Sequence, residues 1–182
     1  MIAEMPSRWY GPFAVALAEL LLLTAILPVI VGIAAGYPAI SILALIGATL
    51  IVEYGAAPAG LGLGLSPPYV LFTLCSVALG VTLFLFSAID GLGDLSGRVR
   101  SFLDRSADRG RRSRILAKYG IFGLIPCVMV LGFYVCPPVS SVFGWNRNIS
   151  ILMIMAGFAC ISLVTILITR GIFAAFPSVG GV

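Results

Sequence analysis

Glu53-Tyr54-Gly55-Ala56-Ala57-Pro58 follows directly on an apolar run, residues 38–51, and leads into Gly60-Leu61-Gly62-Leu63-Gly64. An acid at the centre of a membrane helix costs ~2.5–3.5 kcal/mol on insertion scales, so it needs a partner, water or a proton. Pro58 and the alternating glycines beside it are poor residues for an unbroken helix. An ionisable group next to interrupted backbone at membrane depth is the arrangement from which ion-coupled transport sites are built. Tyr54 and the 60–64 glycines read as part of that site, with backbone amides and carbonyls turned toward a cavity. The bland alternative is a structural acid that accepts backbone N–H bonds at a broken helix end.

Glu19, in Ala18-Glu19-Leu20, is a second acid inside an apolar segment. It is the other candidate for carrying a proton or cation. Its bland alternatives are a helix–helix hydrogen bond or reach to the interface. The chain has no histidine, and Cys75, Cys127, Cys136 and Cys160 form no CxxC pair. Zinc, haem, a histidine proton relay and thiol-redox catalysis are therefore unsupported. Met153, Met155 and Cys160 read as packing rather than as soft metal ligands. No acid pair, metal set or nucleophile motif marks an enzyme, and no cofactor is expected.

The elements that must hold these residues follow from composition. The 182 residues are 60% hydrophobic and 10% charged, and mean hydropathy is +1.14. That composition belongs to an all-α polytopic membrane protein, a single integral domain located in the cell membrane. Alternating short strands, the mark of an outer-membrane barrel, are missing from the sequence. Five long apolar segments stand out, at residues 12–36, 38–52 with a Gly-rich extension to 65, 69–89, 119–145 and 149–173. Each approaches the ~20 residues that cross a bilayer. The second is short before Glu53, and the fourth carries Pro126 and Cys136-Pro137-Pro138. A broken or re-entrant segment is expected near each. A cleavable signal over residues 12–36 is the rival reading of the start, disfavoured because the only basic residue before it is Arg8.

Eight of the eleven Lys and Arg lie in one polar stretch: Arg98, Arg100, Arg105, Arg109, Arg111, Arg112, Arg114 and Lys118. This basic loop, residues 90–118, should be cytoplasmic. Three crossings before it put the N-terminus outside, and two after it put the C-terminus inside. Leu95, Val99, Phe102 and Leu103 fall at helical spacing, and Asp94–Arg98 and Asp108–Arg112 are favourable i,i+4 pairs. An amphipathic interfacial helix is expected. It serves either as a solvated topology determinant or, through Arg98 to Arg112, as a contact for anionic lipid. Nucleic acid is not an expected partner. The halves 12–89 and 119–176 each pair an interrupted segment with an intact one, which leaves two inverted repeats open. Such a small bundle encloses little cavity, so a homodimer is a reasonable form.

These residues carry a family resemblance. The acidic Glu53 to Pro58 stretch followed by Gly-Leu-Gly-Leu-Ser-Pro-Pro resembles the signature of the putative small multidrug export proteins. Lys118-Tyr119-Gly120, then Phe122-Gly123-Leu124, is similar to the entry into that family's second conserved segment. The resemblance covers about residues 53–173. It extends distantly to DedA-type membrane proteins, pictured as two inverted re-entrant hairpins, each with a packed helix. The family's usual arginine after the acid is absent, and its second proline-glycine run appears only as Cys136-Pro137-Pro138-Val139-Ser140-Ser141. Glu19, Pro28, Gly36 and Pro38 fit the same order in an alternative register. The resemblance implies a small ion-coupled exporter of small molecules, or a protein that moves lipid between leaflets. Glu53, helped by Glu19, would take the ion. Cys136 to Ser141 would form the opposing hairpin, with Ser140 and Ser141 bonding substrate. A third reading is a substrate-binding membrane subunit of a larger importer, seated on its partner through Ala14, Ala16 and Ala18.

Overall fold

The computed structural model describes residues 10–95 and 123–175, all in helices and the short turns between them. The arginines from Arg98 to Arg112, and the amphipathic helix expected to carry them, lie outside the described residues. Four helical stretches are long and apolar enough to cross a membrane: Ala14–Ala34, Ala39–Gly62, Pro67–Gly91 and Arg147–Gly171. In the expected fifth, residues 119–145, the described part, from residue 123 on, holds two short helices separated by a turn.

The first long helix comprises α1 (Tyr10–Leu21), a π-helical turn (Leu22–Ile26) and α2 (Leu27–Ala34). Pro28 at the start of α2 offers no N–H, so the ladder of the preceding turn cannot continue as α-helix. The Leu27 N–H bonds the Leu22 carbonyl instead. Side chains of α5 (Pro67–Leu95) then satisfy the altered backbone. The Ser76 hydroxyl donates to the Leu23 carbonyl at 2.5 Å, and the Tyr69 hydroxyl to the Pro28 carbonyl at 2.8 Å. These contacts run in opposite directions along the two helices, so they are antiparallel.

Helix α3 (Ala39–Val52) is only 14 residues, roughly 21 Å. At its end a 3₁₀ turn (Glu53–Ala56) reverses the chain into α4 (Ala57–Gly62). The reversal is visible at both ends of the pair. A Cβ on Gly60 would stand 2.9 Å from Leu45 Cδ1, although the two residues are far apart along a straight helix. The Ser66 N–H, beyond α4, donates to the Tyr37 hydroxyl, before α3, at 3.2 Å. Ala39–Gly62 is therefore a helical hairpin that returns to the level at which it began.

The second half repeats this plan. Helix α6 (Leu124–Leu131) leads through a turn at 132–135 into α7 (Cys136–Val142), and α8 (Arg147–Ala175) follows. A shift of 80 residues, the separation of Glu53 from Phe133, carries α5 onto α8, both 29 residues long. The same shift carries Tyr54 onto Tyr134, Pro58 onto Pro138 and Gly64 onto Gly144. The ends of α4 and α7 close alike. Leu65 N bonds Gly60 O and Trp145 N bonds Ser140 O, both at 3.2 Å. Gly64 (φ 76°) and Gly144 (φ 64°) take the left-handed turn that this closure requires. Helices α5 and α8 are antiparallel, because Arg147 at the start of α8 reaches Asp90 near the end of α5 at 3.0 Å. Its guanidinium also bonds Ser87 and lies over the Phe86 ring.

Two expectations are corrected here. The backbone at Gly60 and Gly62 is helical despite the alternating glycines, and the Cys136-Pro137-Pro138 run opens a helix just after the break rather than lying within it. Proline is compatible with the first turn of a helix, where its missing N–H has no partner to lose. Pro58, Pro137 and Pro138 therefore start α4 and α7. The breaks lie upstream, at 53–56 and 132–135.

Candidate site at the hairpin tips

The turn of each hairpin meets the turn of the other. Glu53, at the first tip, is the described non-glycine residue with a positive φ, 55° with ψ −128°. Gly132, at the second tip, has φ 82° and ψ 173°, a region essentially reserved for glycine. The Glu53 carboxylate accepts the Phe133 N–H through Oε2 at 3.2 Å. It lies directly over Gly132, where a Cβ would collide with both carboxylate oxygens. The strained backbone of Glu53 thus aims an acid at a partner whose missing side chain makes room for it.

Two tyrosines flank the acid reciprocally. Tyr54 Oη donates to the Met129 carbonyl at 3.3 Å, and Tyr134 Oη to the Leu50 carbonyl at 2.6 Å. Each tyrosine reaches from its own tip to the first limb of the opposite hairpin. Phe133 anchors the second tip. Its ring is fully buried, stacks on Tyr134 with centroids 4.3 Å apart, and meets Phe158 of α8 edge-on at 5.1 Å. Cys136 is buried just behind, its thiol on the Gly132 carbonyl at 3.4 Å. Among the described residues, Tyr134 and Cys136 are ionisable side chains close to Glu53, and Cys127 lies beside Cys136.

The other expected site residues fall elsewhere. Pro58, Gly62 and Gly64 are exposed on the outside of the first hairpin, and Gly60 is packed against Leu45 and Val70. Ser140 is buried and bonds Ser150 Oγ at 2.6 Å, tying α7 to α8. Ser141, Pro137 and Pro138 lie on α7, with Pro137 buried and Pro138 exposed. Glu19 is exposed on the first helix, away from Glu53. Tyr54 stands where it was expected, beside the acid. Phe133, Gly132 and Tyr134 were not foreseen. The signal that could have found them is the 80-residue spacing that aligns Tyr54, Pro58 and Gly64 with Tyr134, Pro138 and Gly144. Among the described residues no group of three or more His, Cys, Asp or Glu is placed to hold a metal.

Chemically, the contact can exchange one proton or bind one small cation at a single carboxylate. Its repeat mate is phenylalanine, so the site is two-fold in backbone and one-fold in charge. No family model, curated protein or solved structure matches this chain.

Proposed function

We propose that this chain is a small ion-coupled membrane transporter that exports small molecules, as its resemblance to the small multidrug export proteins implies. The observation that carries the reading is the Glu53 carboxylate clasped between two hairpin tips. The hairpins are re-entrant, entering the bilayer from opposite sides and meeting at depth. With Glu53 ionised, the Phe133 N–H gives it a charge-assisted hydrogen bond, about twice as strong as a neutral one. Uptake of a proton or cation by Glu53 weakens that bond and frees the tips to part. Tyr54 and Tyr134 keep the tips in register while closed.

A second reading, movement of lipid between leaflets, is favoured by one feature. The Tyr54 and Tyr134 bonds lie on the exposed flank of the tip contact, and Ile51 beside them is 83% exposed. Lipid would meet the site from the side.

Sidedness follows from the same reading. Residues 10–34, α5 and α8 are the three crossings. The basic stretch after α5 marks the cytoplasmic side, and the first helix runs antiparallel to α5. The N-terminus is then cytoplasmic and the end of α8 external. This reverses the orientation counted from apolar segments, because the second and fourth segments return rather than cross.

Proteoliposomes test both readings. Wild type and Glu53→Gln are compared for proton-gradient-driven loss of a small organic cation and for transbilayer movement of headgroup-labelled lipid. Gradient-dependent cation loss that disappears in the variant supports the exporter. Lipid movement without cation transport shifts the assignment to the second reading. Equal activity of variant and wild type in both assays removes Glu53 from the mechanism.

A further inference from the structure

Cys127 and Cys136 are nine residues apart, a spacing that forms no thiol motif. The fold-back of the second hairpin brings them together. Cys127 lies on α6 and Cys136 opens α7, the two limbs on either side of the turn at 132–135. The Cys127 thiol is within hydrogen-bonding reach of Cys136. The relation between the two hairpins gives the same register independently. In the first hairpin Gly60 packs on Leu45. A shift of 80 residues carries that pair onto Ser140 and Ile125, so further toward the tip the limbs face each other around 127 and 136–138.

Packing alone does not call for sulfur at both positions. Gly47 and Ala56 hold the equivalent places in the first hairpin, so close limbs need only small side chains there. The two thiols differ in access. Cys136 is fully buried, whereas Cys127 is partly exposed. The Cys136 thiol donates to the Gly132 carbonyl at 3.4 Å, and the Glu53 carboxylate lies over Gly132. The pair therefore sits directly beneath the tip contact.

We propose that Cys127 and Cys136 form a redox site, oxidised by organic hydroperoxides to a disulfide that ties the two limbs of the second hairpin beneath its tip. Cys127, the accessible thiol, attacks the terminal oxygen of the hydroperoxide. The O–O bond breaks, and the alkoxide leaves as an alcohol with the Cys127 thiol proton. Cys127 is now a sulfenic acid, the species that condenses with a thiol. The Cys136 sulfur attacks the Cys127 sulfur, the S–O bond breaks, and water leaves with the Cys136 thiol proton. In sum the two thiols are oxidised to one disulfide, and the hydroperoxide is reduced to alcohol and water. The second step is intramolecular, which favours it over escape of the sulfenic acid. Once the bridge has formed, the turn at 132–135 cannot shift without moving both limbs together. The inference rests on the fold of the second hairpin and not on what is transported.

The test uses the full chain in native membranes, with cumene hydroperoxide as the oxidant. Cys75→Ala and Cys160→Ala leave the pair as the remaining cysteines. Intact mass should fall by that of two hydrogen atoms, without a crosslinked dimer on non-reducing gels, and dithiothreitol should reverse the change. Maleimide labelling after unfolding should drop at least tenfold. Adding Cys136→Ala should strand the sulfenic acid. Dimedone should then mark Cys127 at least tenfold more than it marks Cys136 in the matching Cys127→Ala variant. Amide hydrogen exchange over residues 132–135 should slow on oxidation when both cysteines are present, and stay unchanged in either alanine variant. Maleimide labelling that does not fall, disulfides between copies only, dimedone on Cys136 instead of Cys127, or exchange at the turn that ignores oxidation would each overturn the inference.

Discussion

Glu53 combines a conformation and a charge that are rarely found together. A non-glycine residue at φ 55° and ψ −128° stores strain of about 1–3 kcal/mol. That strain makes a specific stability prediction. Glu53→Ala loses the bond to Phe133 and keeps the strained backbone, whereas Glu53→Gly loses both. The glycine variant should be the more stable by about 1–3 kcal/mol in detergent unfolding, the reverse of their usual helical ranking. If alanine proves equal or better, the tip is not strained. Gly132 makes the complementary case. Gly132→Ala should cost about 1–3 kcal/mol through its φ of 82°, and more through contact with the Glu53 carboxyl. A double-mutant cycle separates the two effects: the carboxyl-dependent part should vanish when Glu53 is already alanine.

At the scale of elements, each hairpin is held by polar bonds at its tip and its base. Removing one tyrosine hydroxyl should cost about 0.5–1.5 kcal/mol. Tyr134→Phe should cost more than Tyr54→Phe, because its bond is 2.6 Å rather than 3.3 Å. Thermal unfolding of the two variants checks the order. Both should also raise the rate of substrate movement if parting of the tips limits transport, and neither should change it if the tips stay closed throughout. At the base of the second hairpin, Ser140→Ala leaves Ser150 without its partner in a fully buried site. A loss of about 1–3 kcal/mol is expected there, with no specific effect on substrate recognition.

Across the whole molecule, α5 and its 80-residue counterpart α8 run antiparallel, and the sidedness proposed above is built on that. The first helix and α5 are antiparallel, as are α5 and α8. One direction assigned to α5 therefore assigns all three. Reporter fusions or impermeant thiol labelling should find residues near position 8 on the cytoplasmic side and residues beyond Ala175 outside. Finding both ends on one side would mean that one hairpin crosses instead of returning.

By itself the sequence determined the helical class and singled out Glu53 as an acid among apolar residues. Composition excludes a water-soluble core, prolines and glycines punctuate the helices, and an acid among apolar residues declares itself by its cost. The return of the hairpins was not legible. Hydropathy counts apolar residues and is the same for a segment that crosses and one that folds back. Contacts made only in the folded chain, Gly60 on Leu45 and Tyr37 on Ser66, reveal the fold-back. The tip contact was hidden for a related reason. Phe133 offers Glu53 a backbone N–H, and Leu50 and Met129 offer the tyrosines backbone carbonyls, groups that nearly every residue has. Side-chain identity says nothing about them. Only the tertiary structure, by bringing together positions 80 residues apart, makes those common groups into a site.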